Sequence, residues 1–153
     1  MRMSVELQGL ERLERKLQPE LVAGPVRQFF KESTDLLLGR VLKNAPNDLG
    51  TLKSRISSSI DSRQVPLWGK VVSRAPHSHL LEYGVAAHMA PRQPFIAWGE
   101  RKGVSGVGAW LKMITKGIKG RFFVWRALKD SDGDIERNER KAERAIEQEF
   151  ERR

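Results

Sequence analysis

Three histidines are the first residues within reach of chemistry. His77 and His79 stand two apart, a spacing that puts both rings on one face of a strand, and His88 follows nearby. A metal site needs three or four donors at fixed geometry, and the only carboxylate close in sequence is Glu82. Surface or turn histidines are therefore the expectation. Asp130, Asp132 and Asp134 alternate as in the opening of a calcium loop, but that loop needs glycine at its sixth position and a bidentate glutamate at its twelfth. Here those positions are Ile135 and Lys141, and a helix cap explains the aspartates better. The serines include no G-x-S-x-G elbow, and nothing in the spacing links one of them to a histidine and an acid. Gly103-Val104-Ser105-Gly106-Val107-Gly108 lacks the Lys-Ser/Thr ending of a phosphate-binding loop and reads as a flexible loop. There is no cysteine, which removes disulfides, zinc thiolates and a thiol nucleophile. The expectation is a protein that is not an enzyme, with no catalytic, cofactor-binding or metal-ligating residue.

Charge carries more information. The formal net charge is +9, and residues 91–129 hold nine Lys and Arg against Glu100, a local balance of +8. Residues 1–20 are neutral, and residues 134–153 sum to −1. Such a cluster attracts polyanions by a sequence-independent Coulomb term. Its bland counterpart is a solvated helical face. Arg101, Lys102, Lys112, Lys116, Lys119 and Arg121 are the candidates to face a channel or a polyanion. Trp68, Trp110 and Trp125 lie beside Lys70, Lys112 and Arg126; interleaving of this kind can stack single-stranded nucleic acid, but the periodicity favours core aromatics with cations on the adjacent face.

The elements that must position these residues follow from pattern. The length of 153 residues favours one domain, divided as an amphipathic segment 1–20, an α+β core 21–130 and a charged helix 131–153. Leu7, Leu10, Leu13 and Leu17 predict a helix over 9–18, with a short strand at 3–7 before it. Gly24-Pro25 reads as the start of a long helix, whose apolar stripe Val26, Phe29, Phe30, Leu36, Leu37, Val41 and Leu42 runs to Ala45-Pro46. Turn residues 47–50 lead to a strand near 56–61, and Trp68–Ser73 suits its antiparallel partner. Helices are expected over 95–102 and 107–114. The last helix carries Ile135, Ala142, Ala145, Ile146 and Phe150 as a narrow stripe among charges that read as i,i+4 pairs. The fold class expected is α+β, a long helix packed across a small antiparallel sheet with further C-terminal helices. No run approaches the ~20 apolar residues of a membrane span, and the first residues lack an apolar signal core, so synthesis in the cytoplasm and no membrane contact are expected.

Three stretches taken together resemble a family. They are Lys43-Asn44-Ala45-Pro46-Asn47-Asp48-Leu49-Gly50-Thr51-Leu52, then His77-Ser78-His79-Leu80-Leu81-Glu82-Tyr83-Gly84, then Lys116 to Leu128 with Gly120, Phe122, Phe123, Ala127 and Leu128. Their order is similar to that in the tail-completion or neck proteins of lambdoid-type siphophages, the "gene product ten" family, over roughly residues 20–150. Residues 47–50 are one longer than the commonest spacing, Val85 replaces Thr or Ser, and Arg121-Phe122-Phe123 lacks the family's proline. The resemblance implies a homo-oligomeric ring, a hexamer, at the head–tail junction of a virion. Its partners would be the connector or head-closure ring and the tail terminator or tube. Pro46, Gly50, Leu52, Leu81, Glu82, Tyr83, Gly84, Phe122, Phe123, Ala127 and Leu128 are the motif and interface candidates it carries over. A ring needs two different complementary patches on each subunit. The ring reading expects weak, salt-sensitive DNA contact; the rival reading is a non-specific nucleic-acid-binding protein using 91–129, whose affinity falls steeply with salt.

Overall fold

The computed structural model describes residues 3–4, 19–61 and 67–151, with side chains described between 23 and 149. The helix expected over 9–18 lies outside them. Within them the elements run β1 (Met3–Ser4), α1 (Pro19–Asn44), a 3-10 turn (Lys53–Arg55), β2 (Ile56–Asp61), β3 (Trp68–Ser73), α2 (Ser78–Tyr83), β4 (Gly84–Val85), α3 (Gln93–Lys102), α4 (Gly106–Lys116), β5 (Ile118–Lys119) and α5 (Phe123–Glu151). The protein is α+β. In place of one continuous core over 21–130, the chain divides into two compact units, Met1–Pro76 with Phe123–Arg153, and His77–Phe122.

The first unit is built on α1. Val26, Phe29, Phe30, Leu37, Val41 and Ala45 recur every three to four residues and are buried, as the stripe predicts. The helix begins earlier than Gly24-Pro25 implies, at Pro19, so Pro25 lies inside it and leaves one backbone bond missing. It ends at Asn44, two residues before Pro46. Gly50 follows at φ +77, and Leu52 is buried. Strand β3 is central in a three-stranded antiparallel sheet of order β1-β3-β2, with Ile56 opposite Ser73 and Asp61 opposite Trp68. Helix α1 lies against β2 and β3 on one side and along α5 on another. Val26, Phe29, Phe30 and Ile146 form a buried cluster, flanked by Leu67, Ile135 and Ala142. Each large apolar side chain buried this way contributes about 1.5–3 kcal/mol.

Helix α5 corrects two expectations. It runs unbroken through 130–134, where the aspartates suggest a loop with a cap and where the charged helix is expected to begin as a separate segment. Tertiary partners override the local preference. The Arg40 guanidinium donates to the Asp130 carbonyl and to the Asp134 carboxylate. The fully buried Ser131 donates its hydroxyl to the Ala127 carbonyl at 2.6 Å. Small residues (Ser33, Ala127 and Ser131, each 0% exposed) fill this part of the first unit.

The second unit holds α2, β4, α3, α4 and β5. Residues 103–108 are not one loop: 103–105 connect α3 to α4, and 106–108 form the first turn of α4. Gly103 closes α3 at φ +65, and Ser105 caps α4 by accepting from the Gly108 N–H at 3.0 Å. Helices α3 and α4 pack on each other.

Candidate interaction surface

Residues 77–122 bring together two of the stretches that carry the resemblance. Helix α2 runs straight into β4, and β4 pairs antiparallel with β5, Gly84 opposite Lys119 and Val85 opposite Ile118. Beyond the pair, the Arg121 N–H donates to the Leu81 carbonyl at 2.8 Å and the Phe122 N–H to the Glu82 carbonyl at 3.0 Å. The chain thus ties 81–85 to 118–122 backbone to backbone. Two glycines make this possible. Gly84 sits at φ +86, and a Cβ there would meet the Ile118 carbonyl oxygen at 2.5 Å. A Cβ on Gly120 would meet the Glu82 carbonyl oxygen at 2.5 Å. Glu82, whose carbonyl accepts in this knot, is buried.

The knot presents aromatic rings outward. Tyr83 is 65% exposed and Phe122 43%. Phe122 is also the one non-glycine residue at positive φ (+50) among those described. A bulky side chain in that region is unfavourable and marks a place where surrounding bonds impose the backbone. Here the imposing bonds are those to Leu81 and Glu82.

Solvent-facing apolar side chains concentrate in this unit. Of twelve large hydrophobic residues exposed among those described, nine belong to 77–122: Tyr83 and Phe122 with Leu80, Met89, Trp98, Val104, Val107, Leu111 and Ile118. Its one fully buried large hydrophobe is Met113. On α4, Val107, Trp110, Leu111, Met113 and Ile114 share one broad apolar face, and it is covered only in part: Met113 is buried, Trp110 and Ile114 are half-buried, and Val107 and Leu111 are exposed. None of Trp68, Trp98, Trp110 and Trp125 is fully buried, so the core reading of the aromatics holds only in part. Trp110 donates its indole N–H to the Ala90 carbonyl at 2.8 Å, with the Arg92 guanidinium 5.8 Å from its ring centre.

The charge is set among these residues. Residues 77–122 contain seven Lys and Arg and two Glu, one of them the buried Glu82. Arg101, Lys102, Lys112, Lys116, Lys119 and Arg121 are all exposed. The remaining cations of the 91–129 cluster, Arg126 and Lys129, lie on α5 in the other unit.

The histidines do not converge. His77 precedes α2 and His79 lies in its first turn, so the strand spacing that would align them is absent, and His88 Nδ1 meets the Ala86 carbonyl at 3.0 Å. Among the described residues no group of three His, Cys, Asp or Glu is placed to hold a metal ion. No helix among them is long and apolar enough to cross a membrane.

The motif candidates separate by exposure. Leu52, Glu82, Phe123 and Ala127 are buried and hold the fold, while Pro46, Leu81, Gly84 and Leu128 are half-buried. Tyr83 and Phe122 are available to a partner. Sequence reasoning overlooked Met89, Trp98, Leu111 and Ile118 as surface; Leu111 lies on the apolar face of α4, which periodicity assigns to the core. Comparison with protein-family models, curated proteins and solved structures returns no match.

Proposed function

We propose that this chain is a structural virion protein of a long-tailed bacteriophage, assembling as a ring at the head–tail junction and joining the tail to the capsid connector. One observation carries the reading. A 46-residue unit exposes nine large hydrophobic side chains, half-buries six and buries one. Chains of that size close over a core with difficulty even when patterned for it, and apolar surface on this scale belongs to interfaces. The exposed cations beside it suit an acidic partner ring or passing DNA, by contacts that salt weakens. The order of the three sequence stretches supplies the setting at the neck; the backbone knot between two of them agrees with a shared, structured element.

Native mass spectrometry of the purified chain, with negative-stain imaging after mixing with tail tubes and connectors, tests this. A ring of defined copy number that caps tubes or connectors is expected. A strict single copy that ignores both would overturn the reading.

The second reading, a free nucleic-acid-binding protein, is favoured by the exposure of all six basic candidates. A filter-binding salt titration separates the two: a true binder loses affinity steeply with salt and loses it altogether on charge reversal of Lys112, Lys116 and Lys119.

A further inference from the structure

Along α5 some charges are paired, and the two signs are also sorted onto different flanks. Arg137, Arg140, Lys141 and Arg144, with Ala145 and Gln148, line an open groove of about 530 Å³ on one flank. At the helical angle of ~100° per residue, Glu136, Glu139, Glu143 and Glu147 fall together on the other flank. Ile135, Ala142 and Ile146 take the seam toward α1. Seven of the eight charged residues are exposed, and Glu139 is half-buried.

This arrangement works against the helix that carries it. Like charges stand four apart at Arg137/Lys141, Arg140/Arg144, Glu139/Glu143 and Glu143/Glu147, and such pairs destabilise a helix. Opposite charges stand four apart at Glu136/Arg140, separated by 3.9 Å. The pairing that the sequence suggests is realised in part, at Glu136/Arg140 and Asp134/Arg137, and opposite charges also stand three apart at Arg140/Glu143 and Arg144/Glu147. Three cations of the basic flank have partners within the chain, Arg137 on Asp134, Arg140 on Glu136 at 3.9 Å, and Lys141 on Glu32. Arg144 extends the flank beyond them.

We infer that the occupant of these flanks is a second copy of this chain, the acidic flank of one α5 lying along the basic groove of the next. The inference rests on the ring reading and names its self-contact. Charge complementarity selects the arrangement. Parallel packing about an axis running along the helix sets Glu143 and Glu147 of one copy against Arg140 and Arg144 of its neighbour. Antiparallel face-to-face packing sets like on like. Each copy thus offers two different, mutually complementary patches, the requirement for a closed heterologous ring.

The test uses the full chain and two charge reversals away from the α1 seam, R140E/R144E and E143R/E147R, with circular dichroism confirming the fold of each. Native mass spectrometry is expected to show the wild type as an oligomer, each reversed variant alone as a single copy, and an equimolar mixture reassembled with alternating subunits. The milder R140Q/R144Q is expected to weaken assembly about tenfold, one decade for ~1.4 kcal/mol, and to flatten its salt dependence. Reversed variants that assemble as well as the wild type overturn the assignment and leave the ring reading standing. Folded variants whose mixture fails to reassemble overturn it equally. A wild type that stays a single copy even with tail tubes and connectors removes the ring reading and this inference together.

Discussion

Phe29 and Phe30 on α1 meet edge to face, ring centres 5.2 Å apart, in a cluster closed by Ile146 of α5. Tyr83 and Phe122, aromatic residues of similar size, stand on the backbone knot of 77–122 with much of their surface in water. Both regions use apolar side chains freely. The first places them on one stripe of long helices, so that α1, α5 and the sheet can close over them. The second places them on short helices and a two-residue strand pair that cover them only in part, with Met113 the large hydrophobe buried there. The difference separates a region whose apolar side chains are covered within the chain from one whose apolar side chains stand largely in water, which is the region the proposed assembly would complete.

Truncations should break this contrast if it is wrong. Phe30→Ala, at a site 4% exposed, is expected to cost about 3–5 kcal/mol, whereas Leu111→Ala, half exposed, should cost under about 1 kcal/mol. Urea midpoints of the two variants in the single-copy state check the ratio. Gly84→Ala meets backbone at 2.5 Å and a φ of +86; a local loss above about 1 kcal/mol is expected. Amide exchange should report it at Arg121 and Phe122 and leave the α1–α5 seam unchanged.

Smaller effects sharpen the account of the stable region. Arg40→Met removes the guanidinium that holds Asp130 and Asp134 in α5, at an expected cost of about 1.5–3 kcal/mol for hydrogen bonds to charged groups, reduced by their partial exposure. Thermal unfolding at constant salt checks it. Glu32 is the least of these. A hydrogen bond from the Gln28 amide, then Lys141, holds its carboxyl below the usual value of 4.5. A carboxyl lowered on folding contributes stability above its unfolded pKa and loses it as pH falls through the folded one. The pair with Lys141 is at the surface, so Glu32→Gln should lower stability by less than about 1 kcal/mol at pH 7. The difference between variant and wild type should disappear in acid.

How much of this was legible in the sequence follows from the same contrast. Helix α1 and the β2–β3 pair declare themselves because one face is buried and the other wet, so periodicity records the core. The run 130–134 does not, because Arg40 lies ninety residues away in sequence from Asp130 and no local rule anticipates its guanidinium. Pro25 misleads for a related reason: packing of Val26, Phe29 and Phe30 holds a helix that its local sequence would start later. In 77–122 the residues of the knot, Leu81 to Gly84 and Gly120 to Phe122, were singled out, but their joining was not, since a two-residue strand pair leaves no period to read. The exposed apolar residues were misjudged because periodicity marks an apolar face, as on α4, without showing how much of that face the chain covers.

The contrast itself is measured most directly by amide hydrogen exchange on the full chain, at a dilution where native mass spectrometry shows one copy. The account predicts that amides of 77–122 exchange orders of magnitude faster than those of the α1–α5 seam, and slow markedly once the chain assembles. Equal protection of the two regions in the single copy would contradict it.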